Sequence, residues 1–158
     1  MPELFESSPQ TVLPEWIDYN GHLNMAYYSV LFDRAVDEAF LAMGLGPAYA
    51  ETRRHTTYTA EFHISYVREL HVGDRVRATF QLLDYDAKRL HTYQELFHED
   101  GWLAATGESL VLHIDQSGPR VAPFPTDVLE KIEAMRAAHA SLPRPARAGR
   151  SIGIARRG

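Results

Sequence analysis

The chain has 158 residues, a net charge of −5, 45% hydrophobic and 23% charged residues, and no cysteine. That size and balance describe one domain with one core, and they exclude a disordered chain, a disulfide framework, thiolate nucleophiles and thiolate metal sites. The charge is uneven: Arg144, Arg147, Arg150, Arg156 and Arg157 lie in a tail without acids, which leaves the preceding residues strongly acidic and a poor surface for nucleic acid.

The first residues lack the basic region and apolar run of a secretory signal, and no segment reaches the roughly 18 apolar residues of a membrane span, so no membrane partner and a cytoplasmic location are expected. In chain order, a short extended start over 10–13 leads to a turn-rich stretch at 18–22. A long helix follows, with Asn24 as its N-cap, running to about Leu45. Tyr28, Phe32, Val36, Ala39, Phe40 and Met43 recur at three- and four-residue spacing along it, and Gly44, Gly46 and Pro47 end it.

From Thr57 the period changes to two. Tyr58, Ala60, Phe62, Ile64 and Tyr66 alternate with polar residues as a long half-buried strand. Turn chemistry at 68–74 separates it from a second alternating run at 76–82, a third strand fits 89–98 and a fourth fits 102–114. The turn-linked succession predicts an antiparallel meander. A last helix carries Val128, Leu129, Ile132 and Met135, capped by Thr126 or Asp127. One long helix before a run of antiparallel strands predicts an α+β fold in which the sheet curls around the helix. Residues 1–142 form the domain, and 143–158 are expected to be a disordered, basic end.

The densest polar cluster is Asp18, Asn20, His22 and Asn24, between Trp16 and the helix start near Met25. Two readings of it stand open. Asp18 and Asn20 form a turn, Asn24 caps the helix and His22 packs or faces solvent; or the helix N-terminus, with its unpaired N–H groups and positive dipole end, holds a developing oxyanion while Asp18 attacks a carbonyl or takes a proton from water. The other histidines show no HxxxH or HExxH spacing for a metal, and neither a Gly-rich phosphate loop nor Gly-x-Ser-x-Gly is present.

The string Trp16-Ile17-Asp18-Tyr19-Asn20-Gly21-His22-Leu23-Asn24, with Tyr27 and Tyr28 following, resembles the signature of the 4-hydroxybenzoyl-CoA thioesterase-like and acyl-ACP thioesterase-like hotdog families. Ile64-Ser65-Tyr66-Val67-Arg68-Glu69-Leu70 with Gly73-Asp74 resembles their strand and turn. The resemblance covers about residues 10–125. It implies a hotdog fold, a curved antiparallel sheet wrapped around one central helix, and hydrolysis of an acyl-CoA thioester, with coenzyme A entering as part of the substrate and neither a cofactor nor a metal. It puts the catalytic acid on Asp18 and the carbonyl-binding N–H near Met25, with Asn20, His22 and Asn24 on motif positions.

The same resemblance implies a homodimer or homotetramer with a shared site, which Glu61 and His63 of the long strand would complete from the second subunit. The chain is also similar to thioesterases of carnitine breakdown, which implies betainyl-CoA as substrate. Trp16, Tyr19, Tyr27, Tyr28, Tyr58, Phe62 and Tyr66 gather around the loop and the long strand: most are expected in the core, and the alternative is that several line an acyl pocket and with Glu61 cage a quaternary ammonium by cation–π attraction. Arg68, Arg75, Lys88 or Arg89 would meet the phosphates of coenzyme A. The rival readings are a hotdog acyl-CoA dehydratase or hydratase and a non-catalytic acyl-CoA-binding module.

Overall fold

A computed structural model describes residues 4–157. The chain begins with two short strands, β1 (Phe5–Glu6) and β2 (Gln10–Thr11), and a 3-10 turn at Pro14–Trp16. Helix α1 (Met25–Ala42) follows, and the Asn24 side chain accepts the Ala26 N–H at 2.9 Å, the expected N-cap. Gly44, with φ at +80°, turns the chain out of α1. Pro47 does more than stop a helix: it opens a second one, α2 (Pro47–Arg53), because a proline at the first helical position surrenders no hydrogen bond.

The sheet consists of β3 (His55–Tyr66), β4 (Arg75–Tyr85), β5 (Arg89–His98) and β6 (Leu103–Asp115), followed by the short β7 (Arg120–Val121). The chain closes on α3 (Thr126–His139), whose N-cap is Pro125 rather than Thr126 or Asp127. Asp127 instead forms a two-pronged bond with Arg53 of α2, at 2.7 and 3.0 Å.

Strands β4, β5 and β6 make the expected meander. The strand order is β1-β4-β5-β6-β3, all antiparallel, so β3 crosses over to the far edge and pairs with β6. A register shift between Thr59 and Glu61 changes the phase of β3. Phe62, Ile64 and Tyr66 face α1, and Thr59 rather than Tyr58 shares a cavity with Phe62.

Helix α1 lies in the concavity of this sheet. Its buried stripe of Tyr28, Leu31, Phe32, Ala35, Ala39 and Phe40 meets Ala78, Phe80, Leu96 and Ala105 on the inner face. Burial of each large apolar side chain in this stripe is worth about 1.5–3 kcal/mol, far more than the helix gains from intrinsic propensity. The architecture is the α+β hotdog fold, one helix wrapped by a curved antiparallel sheet. No helix among the described residues is long and apolar enough to cross a membrane.

Candidate active site

The loop before α1 is held on every side by backbone bonds. Ile17 bridges Leu23, the Gly21 N–H donates to Asp18 O at 3.0 Å, and Gly21 takes φ of +82°, a conformation that favours glycine. The Leu23 N–H donates to Leu70 O at 2.8 Å, which ties the loop to the turn after β3. Asp18 is clamped: its Oδ1 accepts the Asn20 N–H at 2.8 Å and its Oδ2 accepts Asn24 Nδ2 at 3.4 Å. Asn24 thus caps α1 with its oxygen and holds Asp18 with its nitrogen. The turn and the cap expected of these residues are both present, and together they hold Asp18 beside the start of α1.

A cavity of about 470 Å³ opens beside this loop. Asp18, Tyr19, Asn20, His22, Asn24 and Met25 line it from the loop and the helix start, and Tyr28 and Tyr66 from α1 and β3. Among the described residues no acceptor takes the Met25 N–H, the first N–H of α1. It remains a free donor at the positive end of the helix dipole. The Tyr66 hydroxyl donates to Met25 O at 3.0 Å, and the Tyr28 and Tyr66 rings meet edge to face at 5.0 Å. Burial raises the pKa of both tyrosines, which keeps their hydroxyls as neutral donors. His22 Nδ1 is buried without a partner among the described residues, a group left for a ligand or water to satisfy.

The other residues expected at the site are elsewhere. Trp16, only 7% exposed, stacks on Tyr27 at 5.6 Å with Arg34 over its ring, and both aromatics pack beneath the loop instead of lining the cavity. Phe62 lines a separate apolar cavity of about 390 Å³ between α1 and the β3–β6 edge. Glu61 and His63 face the opposite, outer side of the sheet near His91 and Glu108. In their place the structure brings Val67, Arg68 and Glu69 to the Asp18 cavity. These three directly follow Tyr66 in the strand-and-turn motif, and that adjacency was the available signal. Arg68 stacks on Trp102 at 4.1 Å.

With this geometry in hand, comparison with known proteins is informative. The family model described as the thioesterase-like superfamily matches residues 12–132. The chain belongs to that family. This thioesterase-like protein is 39% identical over 155 residues to a betainyl-CoA thioesterase of Pseudomonas aeruginosa, covering 98% of each chain. It is 35% identical to an L-carnitine dehydrogenase/betainyl-CoA thioesterase of Rhizobium meliloti, over 87% of this chain but 28% of that longer protein. Among solved structures, the thioesterase-like fold superposes on a Staphylococcus aureus protein in complex with CoA with a TM-score of 0.90, at 34% identity and 98% coverage of both chains. A DHNA-CoA thioesterase from Staphylococcus aureus shares the fold at a TM-score of 0.79 and 17% identity, covering 89% of this chain and 97% of that one.

Proposed function

We propose that the protein hydrolyses betainyl-CoA to betaine and coenzyme A, with Asp18 as its catalytic carboxylate. Thioester hydrolysis itself follows from the family and its relatives. The observation that carries the residue assignment is the clamped Asp18 carboxylate in one cavity with the free Met25 N–H.

In this reading the thioester carbonyl oxygen accepts the Met25 N–H. Asp18 takes a proton from water as the hydroxyl adds to the carbonyl carbon, and the electron pair moves onto the oxygen held at the helix terminus. The intermediate collapses, the C–S bond breaks, and the proton on Asp18 passes to the departing thiolate. Direct attack by Asp18 on the carbonyl would pass through the same held oxyanion and form a mixed anhydride that water then opens. Asn20 and Asn24 orient the carboxylate in both routes, and His22 Nδ1 is positioned to take a water or a substrate group.

The betainyl ammonium is two bonds from its carbonyl carbon, so its cage must share the cavity with Met25. Tyr19, Tyr28 and Tyr66 line that cavity as the aromatic residues available to an ammonium, and Glu69 supplies a carboxylate with no ion pair among the described residues. Glu69 is thus the carboxylate that this chain itself offers to the ammonium, beside the Glu61 that a second subunit would bring. Two chains joined along the open edge of β3 would form the dimer, and a cytoplasmic location suits a coenzyme A substrate.

Asp18→Asn is the test. Thiol release from betainyl-CoA, followed with a disulfide reagent, is expected to fall about 10²–10⁴-fold in kcat with folding intact. An unchanged rate overturns the Asp18 assignment, and a preference of the unaltered protein for acetyl- or butyryl-CoA over betainyl-CoA overturns the substrate. Formation of an enoyl product, or tight binding without turnover, would select one of the rival readings.

A further inference from the structure

The basic tail, expected as a disordered end, is placed in the structure across the outer face of the sheet. Gln81 Nε2 of β4 donates to Pro143 O at 3.3 Å. Arg147 follows, close enough to Tyr93 of β5 for its charge to act on that hydroxyl. The Gly149 N–H then donates to both oxygens of Glu108 on β6, at 2.8 and 3.0 Å. Glu108 is itself engaged by His91 Nε2 at 2.6 Å; burial works to raise its pKa, and the bonds from His91 and Gly149 overcome this and hold the carboxyl below its ordinary value. The strap thus crosses β4, β5 and β6 and reaches β3.

At β3 it builds a second polar cavity, of about 460 Å³, in which Arg147, Arg150 and Ser151 from the tail face His63, Ser65 and Tyr66 from the strand. No carboxylate lines this cavity, and neither arginine has a carboxylate partner within salt-bridge distance among the described residues. Unpaired arginines held together in an otherwise acidic chain form a site for a polyanion, since the guanidinium fork matches phosphate oxygens. Tyr66 lines this cavity and also the Asp18 cavity, where its hydroxyl donates to Met25 O. The two sites are one side chain apart.

Of the basic groups first expected to meet the phosphates, Lys88 and Arg89 are less suited, whereas Arg68 lines the Asp18 cavity itself and Arg75 begins β4 without an ion pair among the described residues. Arg68 is stacked on Trp102, and Arg89 is bound to Asp86 at 2.6 Å. Lys88 and Arg89 follow the far end of β4, roughly 30 Å from the end near the Asp18 loop. We infer that Arg147 and Arg150 of the carboxy-terminal strap bind the phosphate groups of a coenzyme A thioester whose acyl end lies at Asp18. The inference rests on the proposed thioesterase reading for its ligand. The strap is then part of the substrate site.

The test compares two thioesters with the same acyl group, one on coenzyme A and one on pantetheine, which lacks the phosphates. In the full-length double variant Arg147→Ala, Arg150→Ala, KM for the coenzyme A thioester is expected to rise at least about tenfold while kcat and the pantetheine KM stay unchanged. Arg147→Lys, Arg150→Lys should recover part of the loss by restoring charge. Equal changes with both thioesters, or none, overturn the strap site. If the unaltered protein hydrolyses neither thioester, the thioesterase reading fails instead. Calorimetric binding of coenzyme A to the unaltered and double-variant proteins still decides the arginine site, with equal affinities overturning it.

Discussion

At the scale of single residues, Asn24 links the cap of α1 to the Asp18 carboxylate. Its Oδ1 accepts the Ala26 N–H and its Nδ2 donates to Asp18 Oδ2. Asn24→Ala removes both bonds, and the lost cap alone should cost about 1 kcal/mol of stability, read from denaturant midpoints. If the asparagine also positions Asp18, kcat for thioester hydrolysis falls as well. Asn24→Ser separates the two roles: its hydroxyl keeps an acceptor for the cap but is too short to donate to Asp18, so it should restore stability without restoring kcat. Recovery of both would reduce Asn24 to a cap. The cap and turn were legible because Asn, Asp and Gly act on their own backbone neighbours. Whether Trp16 and Tyr27 enter the cavity or pack beneath it was not, because stacking partners are chosen by the surrounding core.

At the scale of elements, α2, which the sequence reading missed, is tied to the sheet by a buried histidine. His113 of β6 bonds Tyr49 OH through Nε2 at 2.7 Å and Ala122 O through Nδ1 at 2.8 Å, with His55 stacked on it at 5.2 Å. The carbonyl requires a proton on Nδ1, so the neutral imidazole accepts the tyrosine hydroxyl. Burial chiefly, with the nearby His55 and Arg53, pushes the His113 pKa below 6.5. The unfolded chain therefore takes up this proton at higher pH than the folded one. The stabilisation is complete above about pH 6.5 and is lost as pH falls below it toward the folded value. Urea midpoints should drop between pH 7.5 and 5.5, and His113→Gln should lower stability at pH 7.5 while flattening that drop. An unchanged pH slope would assign the dependence to other groups. Helix α2 escaped notice because Pro47 reads equally as a stop and as a start, and only the residues packed on Tyr49 choose between them.

At the scale of the whole molecule, β3 is the exposed flank. It pairs with β6 on one side only, and Tyr58, Phe62 and Tyr66 are 49%, 38% and 46% exposed along it. A long edge with unpaired backbone groups and exposed aromatics invites another strand, and a second copy of β3 in antiparallel register would close the Phe62 cavity as well. Light scattering is expected to show a dimer or a tetramer built from it, and Phe62→Lys is expected to shift the mass toward the monomer and reduce turnover. A monomeric unaltered protein would remove the shared-site proposal.

The sequence by itself determined α1, α3 and the four long strands, the cap on α1, the buried stripe and the polar loop, because side-chain periodicity and capping depend on residues within a few positions of one another. Three things were decided only in the tertiary structure. The strand order placed β3 beyond β6, so that Tyr66 meets Met25; the register shift in β3 put Thr59 with Phe62; and the tail found Glu108 on the outer face. Each depends on hydrogen bonds between residues dozens of positions apart, whose partners no local pattern names. That is why the Asp18 loop stood out as a polar turn before a helix, whereas the position of Glu69 beside it and of the arginine tail across the sheet is visible only once the sheet has closed around the helix.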